Sequence, residues 1–166
     1  MDIDAVFAEY HASLLRYLVR YTGDPDLAED LVQETFGRLV DRPPERADRV
    51  RSWIFRVGTN LAREAMRTTK RRSHLLSRWQ ESVPGPSATA RPGDELERTE
   101  VRRAVRAALD ALSPRDRTVL LMREEGFTHR EIAEAVGTTT NAVGVLIARG
   151  LDKLARRLAP SRKVLR

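Results

Sequence analysis

The segment from residue 128 to residue 158 constrains the fold of this 166-residue chain more than any other. Thr128 and Glu131 have the S/T-x-x-E spacing of a capping box, which predicts that a helix begins there. Gly137 suits the left-handed conformation that ends a helix, and the threonines after it offer N-cap hydroxyls for a second helix. Apolar residues recur in that second helix at spacings of three and four: Val143, Ile147, Leu151, Leu154 and Leu158. This pattern predicts a helix-turn-helix, which places its second helix in the major groove of DNA.

The rest of the chain is also predicted to be helical. Helices are expected over residues 4–21, 25–40, about 50–70 and from 95 onward, with a new start at Ser113 and Pro114. Residues 82–94 hold three prolines among Gly, Ser, Ala and Thr, which indicates a linker. We therefore predict an all-α fold of two small helical domains, residues 1–74 and 96–166, joined by a flexible linker over 75–95. Each core is marginal at this size and would gain stability from a partner.

Several classes of protein are disfavoured by what the sequence lacks. It has no cysteine, so disulfides and thiolate metal sites are excluded, and no apolar run approaches the ~20 residues of a membrane span. The acidic start is unlike a signal peptide, and we expect a soluble cytoplasmic protein. His11, His74 and His129 are scattered, and neither metal-ligand spacing nor a glycine-rich phosphate loop occurs. We expect no metal, no cofactor and no enzymatic activity.

Basic and acidic residues are segregated along the chain. Residues 49–72 hold eight Arg and Lys against one Glu, whereas residues 1–48 hold five basic residues against eleven acidic ones. Residues 113–166 are basic again, with eleven against six. Two basic blocks separated by a neutral stretch suggest two contacts with one polyanion. An arginine-rich genome would explain why the basic residues are mostly Arg and not Lys, but it would not explain why residues 49–72 contain so few acidic residues.

The predicted third helix carries a basic stripe on one face. At 100° per residue its polar members lie within about 60° of each other and are continued by two further cations. The stripe comprises Arg56, Asn60, Arg63, Arg67, Lys70 and Arg71. Trp53 flanks it, and guanidinium, amide and indole groups suit phosphates, base edges and unpaired bases. The alternative is a solvated amphipathic helix with a half-buried tryptophan.

The predicted second helix has the opposite character. Asp30, Gln33 and Glu34 share an exposed face beside Gly37, whose missing side chain leaves room for close approach. A like-charge pair at i, i+4 is mildly destabilising in an isolated helix. An acidic protein-binding face and a plain solvated face both fit this pattern.

Three segments together resemble bacterial RNA polymerase sigma factors. Residues 28–36 (AEDLVQETF) resemble the signature of sigma region 2, and residues 50–72 are similar to its promoter-melting helix. Residues 112–158 resemble region 4. A chain with only these two regions resembles the extracytoplasmic function (ECF) group of the sigma-70 family.

This resemblance implies roles for individual residues. Asp30, Gln33 and Glu34 would dock on the clamp of the largest polymerase subunit. Asn60 would contact the −10 element, residues 42–52 would capture an unpaired base, and the cations of the stripe, with Trp53 beside them, would hold the DNA. Region 4 would sit on the flap of the second-largest subunit and contact the −35 element through Thr138, Thr139, Thr140, Asn141, Val145 and Arg149. The linker would extend towards the active-site channel, and the family often has an anti-sigma factor as a further partner.

Region 4 departs from the family pattern at one place. Many members carry Lys, Ser and Arg where this chain has Gly144, Val145 and Leu146. The surface that reads the −35 element is therefore expected to carry little charge, and apolar groups there can contact thymine methyls.

The leading hypothesis is an initiation factor that binds core polymerase, directs it to promoters and assists melting. The alternative is an autonomous helix-turn-helix repressor or activator, which leaves the acidic face and the basic stripe unexplained.

Overall fold

The computed structural model describes the backbone of residues 2–77 and 94–162, with the side chains of residues 2–69 and 99–159. Throughout those residues the regular elements are helical, so the all-α prediction is confirmed. They are α1 (Ile3–Thr22), α2 (Pro25–Asp41), α3 (Val50–Ser77), α4 (Asp94–Asp110), α5 (Pro114–Glu124), α6 (His129–Val136) and α7 (Thr140–Arg162). Most of the predicted linker, residues 78–93, lies outside the described residues. None of the described helices is both long and apolar enough to cross a membrane.

Helices α1, α2 and α3 form an N-terminal module. As predicted, α2 begins with Asp24 as its N-cap, whose carboxylate accepts the N–H of Leu27 at 3.1 Å, and with Pro25 at its first position. Gly58 allows α3 to approach α1 closely, since a Cβ there would stand 3.2 Å from Leu14. Helix α3 continues to Ser77 instead of ending near Lys70, because its sequence meets no proline or glycine in that interval.

Helices α4 to α7 form a C-terminal module that contains the predicted helix-turn-helix. Both hydrogen bonds of the capping box between Thr128 and Glu131 are present at the start of α6. Gly137 ends that helix in the left-handed conformation, with φ of 66°. The Thr139 hydroxyl then accepts the N–H of Ala142 at 3.3 Å at the start of α7. Local sequence signals therefore set the turn that aims α7.

The apolar face of α7 differs from the predicted one. Leu151 was expected in the buried line but is 52% exposed, whereas Leu146 is buried. The buried line follows Val143, Leu146 and Gly150 because α5 packs closely on that side. A Cβ on Gly150 would stand 3.1 Å from the side chain of Leu120, so glycine is needed for this approach.

The two modules pack against one another and share a hydrophobic core. Phe55 of α3 and Phe127 before α6 meet edge to face, with ring centres 4.8 Å apart, and both are fully buried. The sequence predicted that each module would gain from a partner but not that the partner would be the other module.

Candidate nucleic-acid interface

The basic stripe of α3 lies largely on the surface. Arg56, Asn60 and Arg67 are exposed, while Ile54 on the opposite side of the helix is fully buried. Arg67 forms an ion pair with Glu64 one turn earlier, at 2.8 Å. The side chains of Lys70 and Arg71 lie outside the described residues. The described part of the stripe can therefore offer guanidinium and amide groups to a nucleic acid.

Arg63, a member of the same stripe, is placed differently. Its guanidinium donates to the Thr118 hydroxyl at 3.1 Å and to the Pro114 carbonyl at 3.4 Å, both in the C-terminal module. It also donates to the Tyr21 hydroxyl at 3.4 Å. Unlike the exposed members of the stripe, Arg63 already uses its guanidinium donors in hydrogen bonds within the protein.

A pocket of about 370 Å³ opens beside Trp53 at the start of α3. One wall comes from the segment before α3 and from its first turns, and the other from α6. The lining residues are Pro43, Pro44, Glu45, Arg46, Arg49, Ser52, Trp53, Arg56, Glu134 and Ala135. An indole face with three guanidinium groups suits a base and its phosphate. Arg46 and Arg49 were not named individually from the sequence, although both lie within residues 42–52, the segment that the resemblance assigned to capture of an unpaired base.

The segment that forms this pocket is held in place by local contacts. Arg46 makes two hydrogen bonds with Asp48, at 2.8 and 3.1 Å, around a short 3₁₀ turn over Ala47–Arg49. The hydrogen bond from Arg46 keeps the pKa of Asp48 below its ordinary value. A charged Asp48 and two nearby prolines limit the conformations of the segment, which helps to preform the pocket.

The predicted acidic face of α2 lies on the surface of the N-terminal module. Asp30, Gln33 and Glu34 are all exposed, and Glu34 pairs with Arg38 at 2.8 Å. No atom lies within 4 Å of a Cβ built on Gly37. The i, i+4 pair with Arg38 offsets the repulsion between the two carboxylates, and the face remains open to a partner.

The first turns of α7 present a surface with little charge. Thr139, Thr140 and Asn141 are exposed and Thr138 is half-buried, while the isopropyl group of Val145 is 68% exposed. The surface therefore offers hydroxyls, one amide and one apolar group, as the sequence predicted.

Arg149, the one cation predicted in the −35 set, is bound to a buried carboxylate. Asp116 is 1% exposed, and its carboxylate accepts from Lys153 at 2.6 Å and from Arg149 at 3.3 Å. Desolvation raises the pKa of Asp116, but the hydrogen bonds from Lys153, Ser113 and Arg149 outweigh it, and the pKa is lowered overall. Asp116 lies in the first turn of α5, and its carboxylate joins that helix to α7.

Family models match both modules. The model described as Sigma-70 region 2 matches residues 6–72, and the model described as Sigma-70, region 4 matches residues 102–154. The first match contains the acidic face and the basic stripe, and the second contains the helix-turn-helix.

Curated relatives and a solved structure agree with these matches. The chain is 35% identical to the ECF RNA polymerase sigma factor SigG of Mycobacterium tuberculosis over 176 residues, covering 92% of this chain and 48% of SigG. It is 32% identical to SigL of the same organism, covering 84% of this chain and 78% of SigL. The chain spans about half the length of SigG and of SigI. Its fold resembles the sigma factor RpoE from Bartonella quintana, solved with the anti-sigma factor NepR, with a TM-score of 0.71, 21% identity, and coverage of 95% and 97%.

Proposed function

Because this chain belongs to the ECF group of the sigma-70 family, we propose that it is a transcription initiation factor for core RNA polymerase. In this role it binds the polymerase, directs it to specific promoters, assists their melting and catalyses no reaction of its own. It acts in the cytoplasm, where polymerase and promoter DNA meet. The observation that carries the proposal is the presence, in one chain, of an exposed acidic face, a basic stripe beside an aromatic pocket, and a helix-turn-helix.

The N-terminal module is proposed to contact both polymerase and the −10 element. Asp30, Gln33 and Glu34 present carboxylates and an amide to the clamp of the largest subunit. The stripe holds the DNA backbone through its guanidinium groups, while Asn60 contacts base edges. Trp53 supports an unpaired base at the pocket, since stacking on an aromatic ring is favourable for every base.

The C-terminal module is proposed to bind the −35 element and the flap of the second-largest subunit. The threonine hydroxyls at the start of α7 suit phosphate oxygens, and Asn141 suits an adenine edge. Val145 supplies an apolar contact, and Arg149 contacts the backbone when it is not paired with Asp116. An anti-sigma factor is a proposed further partner, because the structural neighbour was solved with one.

A transcription assay with purified core polymerase on a promoter library tests the proposal as a whole. We expect transcripts that depend on this chain and that share two sequence elements upstream of the start site. An autonomous repressor or activator would instead bind duplex DNA tightly without polymerase and yield no transcript from core enzyme. The second result would overturn the proposal.

The clamp assignment is tested by charge reversal on α2. Asp30→Arg should weaken core binding by about tenfold, because it replaces an attractive charge at the interface with a repulsive one. Asp4→Arg, the same charge reversal at an exposed aspartate of α1, is the matched control. Core affinity measured by fluorescence anisotropy should fall for the first variant only, and an equal fall in both would remove the assignment.

A further inference from the structure

The pocket beside Trp53 contains a carboxylate that the proposed DNA contacts do not use. The indole and the guanidinium groups lie on one wall of this pocket, whereas Glu134 and Ala135 of α6 form the facing wall. The Glu134 side chain is 43% exposed, and its carboxylate lies 4.0 Å from Arg49 and 3.5 Å from Arg130. Because a carboxylate repels the phosphates of a DNA backbone, the contacts proposed for a melted strand give Glu134 no role.

The wall that faces Glu134 combines an aromatic ring with cations. Arg49 precedes Trp53 by four residues and Arg56 follows it by three, so the ring has a guanidinium before and after it along the helix. The half-buried indole of Trp53 leaves part of its surface open. A planar base can stack on that surface while its phosphates bind the neighbouring guanidinium groups.

A third guanidinium of this wall is only partly used. Arg46 bonds to Asp48 through Nε and Nη2, at 3.1 and 2.8 Å, and this pairing leaves the Nη1 donors of Arg46 available. The lining as a whole has three guanidinium groups against the two carboxylates of Glu45 and Glu134, a formal net charge of +1. The guanidinium groups come from one module and the Glu134 carboxylate from the other, so the pocket has a cationic side and an acceptor side.

The base whose edge best suits the Glu134 carboxylate is guanine. Its Watson–Crick edge carries two adjacent donors, N1–H and N2–H, which can bond to both oxygens of one carboxylate. Adenine presents an unprotonated N1 at the same place, and its single amino group leaves one carboxylate oxygen without a donor. Paired hydrogen bonds to an ionised group are stronger than bonds between neutral groups, so the acceptor side of the pocket favours guanine.

We infer that this pocket is a binding site for a free guanine nucleotide. The base stacks on Trp53, its Watson–Crick edge bonds to Glu134, and the phosphates lie against Arg46, Arg49 and Arg56. The volume of about 370 Å³ falls among pockets that hold small ligands, which span about 300–1,000 Å³.

A free nucleotide fits this pocket better than a guanine in promoter DNA. The proposed function places the module that holds Glu134 on the −35 element, roughly 85 Å of duplex away from the base that Trp53 supports. A promoter base at Trp53 would therefore not be expected to use Glu134, whereas a free nucleotide can contact both walls. This choice between the two ligands rests on the proposed function.

A series of nucleotides tests the inference on the natural chain without polymerase. Isothermal titration calorimetry in low-salt buffer would compare GDP, IDP and ADP. GDP should bind about tenfold more tightly than IDP, because hypoxanthine lacks the 2-amino group and loses one charge-assisted hydrogen bond. ADP should bind no more tightly than IDP. Equal affinities for the three nucleotides, or no detectable binding of GDP, would overturn the inference.

Substitution of Glu134 tests which group selects the base. Glu134→Gln keeps the size of the side chain but replaces one acceptor oxygen with a donor, so GDP affinity should fall about tenfold while ADP affinity stays the same. Glu100→Gln, at an exposed glutamate of α4 outside the pocket, is the matched control and should retain the preference for GDP. Thermal unfolding checks the fold of both variants. An undiminished preference for GDP in Glu134→Gln would contradict the assignment.

A last comparison separates a free nucleotide from a guanine within a strand. Oligothymidylate with one central guanine should bind within about twofold of oligothymidylate alone, and Glu134→Gln should bind both alike. A guanine preference in the strand that disappears in Glu134→Gln would identify strand guanine as the ligand and overturn the inference. These measurements use no polymerase, so a failure of the chain to initiate transcription would contradict the proposed function and leave the nucleotide result to be judged by itself.

Discussion

Helix α3 and the first turns of α7 are the two candidate DNA surfaces, and they have different chemistry. The α3 surface joins guanidinium groups to an amide and the indole of Trp53, whereas the α7 surface presents hydroxyls, Asn141 and Val145. Even its one cation, Arg149, is paired with Asp116. Electrostatic attraction and stacking suit an unpaired strand of any sequence, while short polar and apolar groups suit the edges of paired bases. The difference suggests that α3 supplies binding strength and α7 supplies discrimination.

The largest expected effect comes from removing the aromatic ring beside the pocket. Trp53→Ala should lower open-complex formation by about 10- to 100-fold, since stacking of one base on an aromatic ring contributes roughly 1–3 kcal/mol. Trp53→Phe retains a ring and should retain most of the activity. Permanganate reactivity of melted thymines measures the open complex, with thermal unfolding as a check on the fold. Equal loss in both variants would show that stacking is not the role of Trp53.

The second-largest expected effect comes from removing the buried carboxylate of Asp116, which binds α7. Asp116→Ala should lower the free energy of unfolding by about 2 kcal/mol, because two charge-assisted hydrogen bonds are lost while Arg149 and Lys153 are exposed enough to be hydrated. Urea unfolding measures this change. Asp152→Ala removes an exposed carboxylate of α7, the helix that Asp116 binds, and should have little effect. A similar loss in both variants would contradict a special role for Asp116.

Asp116 also predicts a pH dependence. Its pKa in the folded protein is lowered from the ordinary value of 3.8, so its contribution to stability is fully present above that value. The contribution is lost as pH falls through the lowered pKa. The free energy of unfolding, measured between neutral and acidic pH, should decline more steeply below pH 3.8 for the natural chain than for the alanine variant.

The sequence predicted the local features of this fold and missed the contacts between distant segments. Thr128, Glu131 and Gly137 lie within ten residues, and their capping geometry depends on spacing alone, so it was predictable. The bond between Arg63 and Thr118 joins residues 55 positions apart, and no sequence periodicity indicates it. The basic stripe could be predicted because a helical wheel places its residues on one face. Whether each stripe residue is free depends on the other module.

Salt dependence sharpens the contrast between the two surfaces. Arg56→Gln with Arg67→Gln removes two cations from the α3 surface and should reduce the slope of log affinity against log salt by about 1.4 for single-stranded DNA. Raising the salt from 50 to 200 mM should therefore reduce the affinity of the natural chain by about sevenfold more than that of the variant. Asn141→Ala on α7 should leave the slope unchanged, because an amide releases no counterion. An equal change of slope in both would abolish the proposed division between strength and discrimination.

The smallest expected effect concerns the base edge that Val145 contacts. Replacing thymine by deoxyuridine at one position of the −35 element removes only a methyl group, which is worth about 0.8 kcal/mol, or about fourfold in affinity. The isopropyl group of Val145 is exposed, and we propose that it covers that methyl, so the natural chain should lose this amount at one position. Val145→Ala should bind both DNAs alike, whereas Leu151→Ala, an exposed apolar residue outside the proposed surface, should retain the preference. A methyl preference that survives in Val145→Ala would mean that discrimination at this position arises from another residue or from DNA shape.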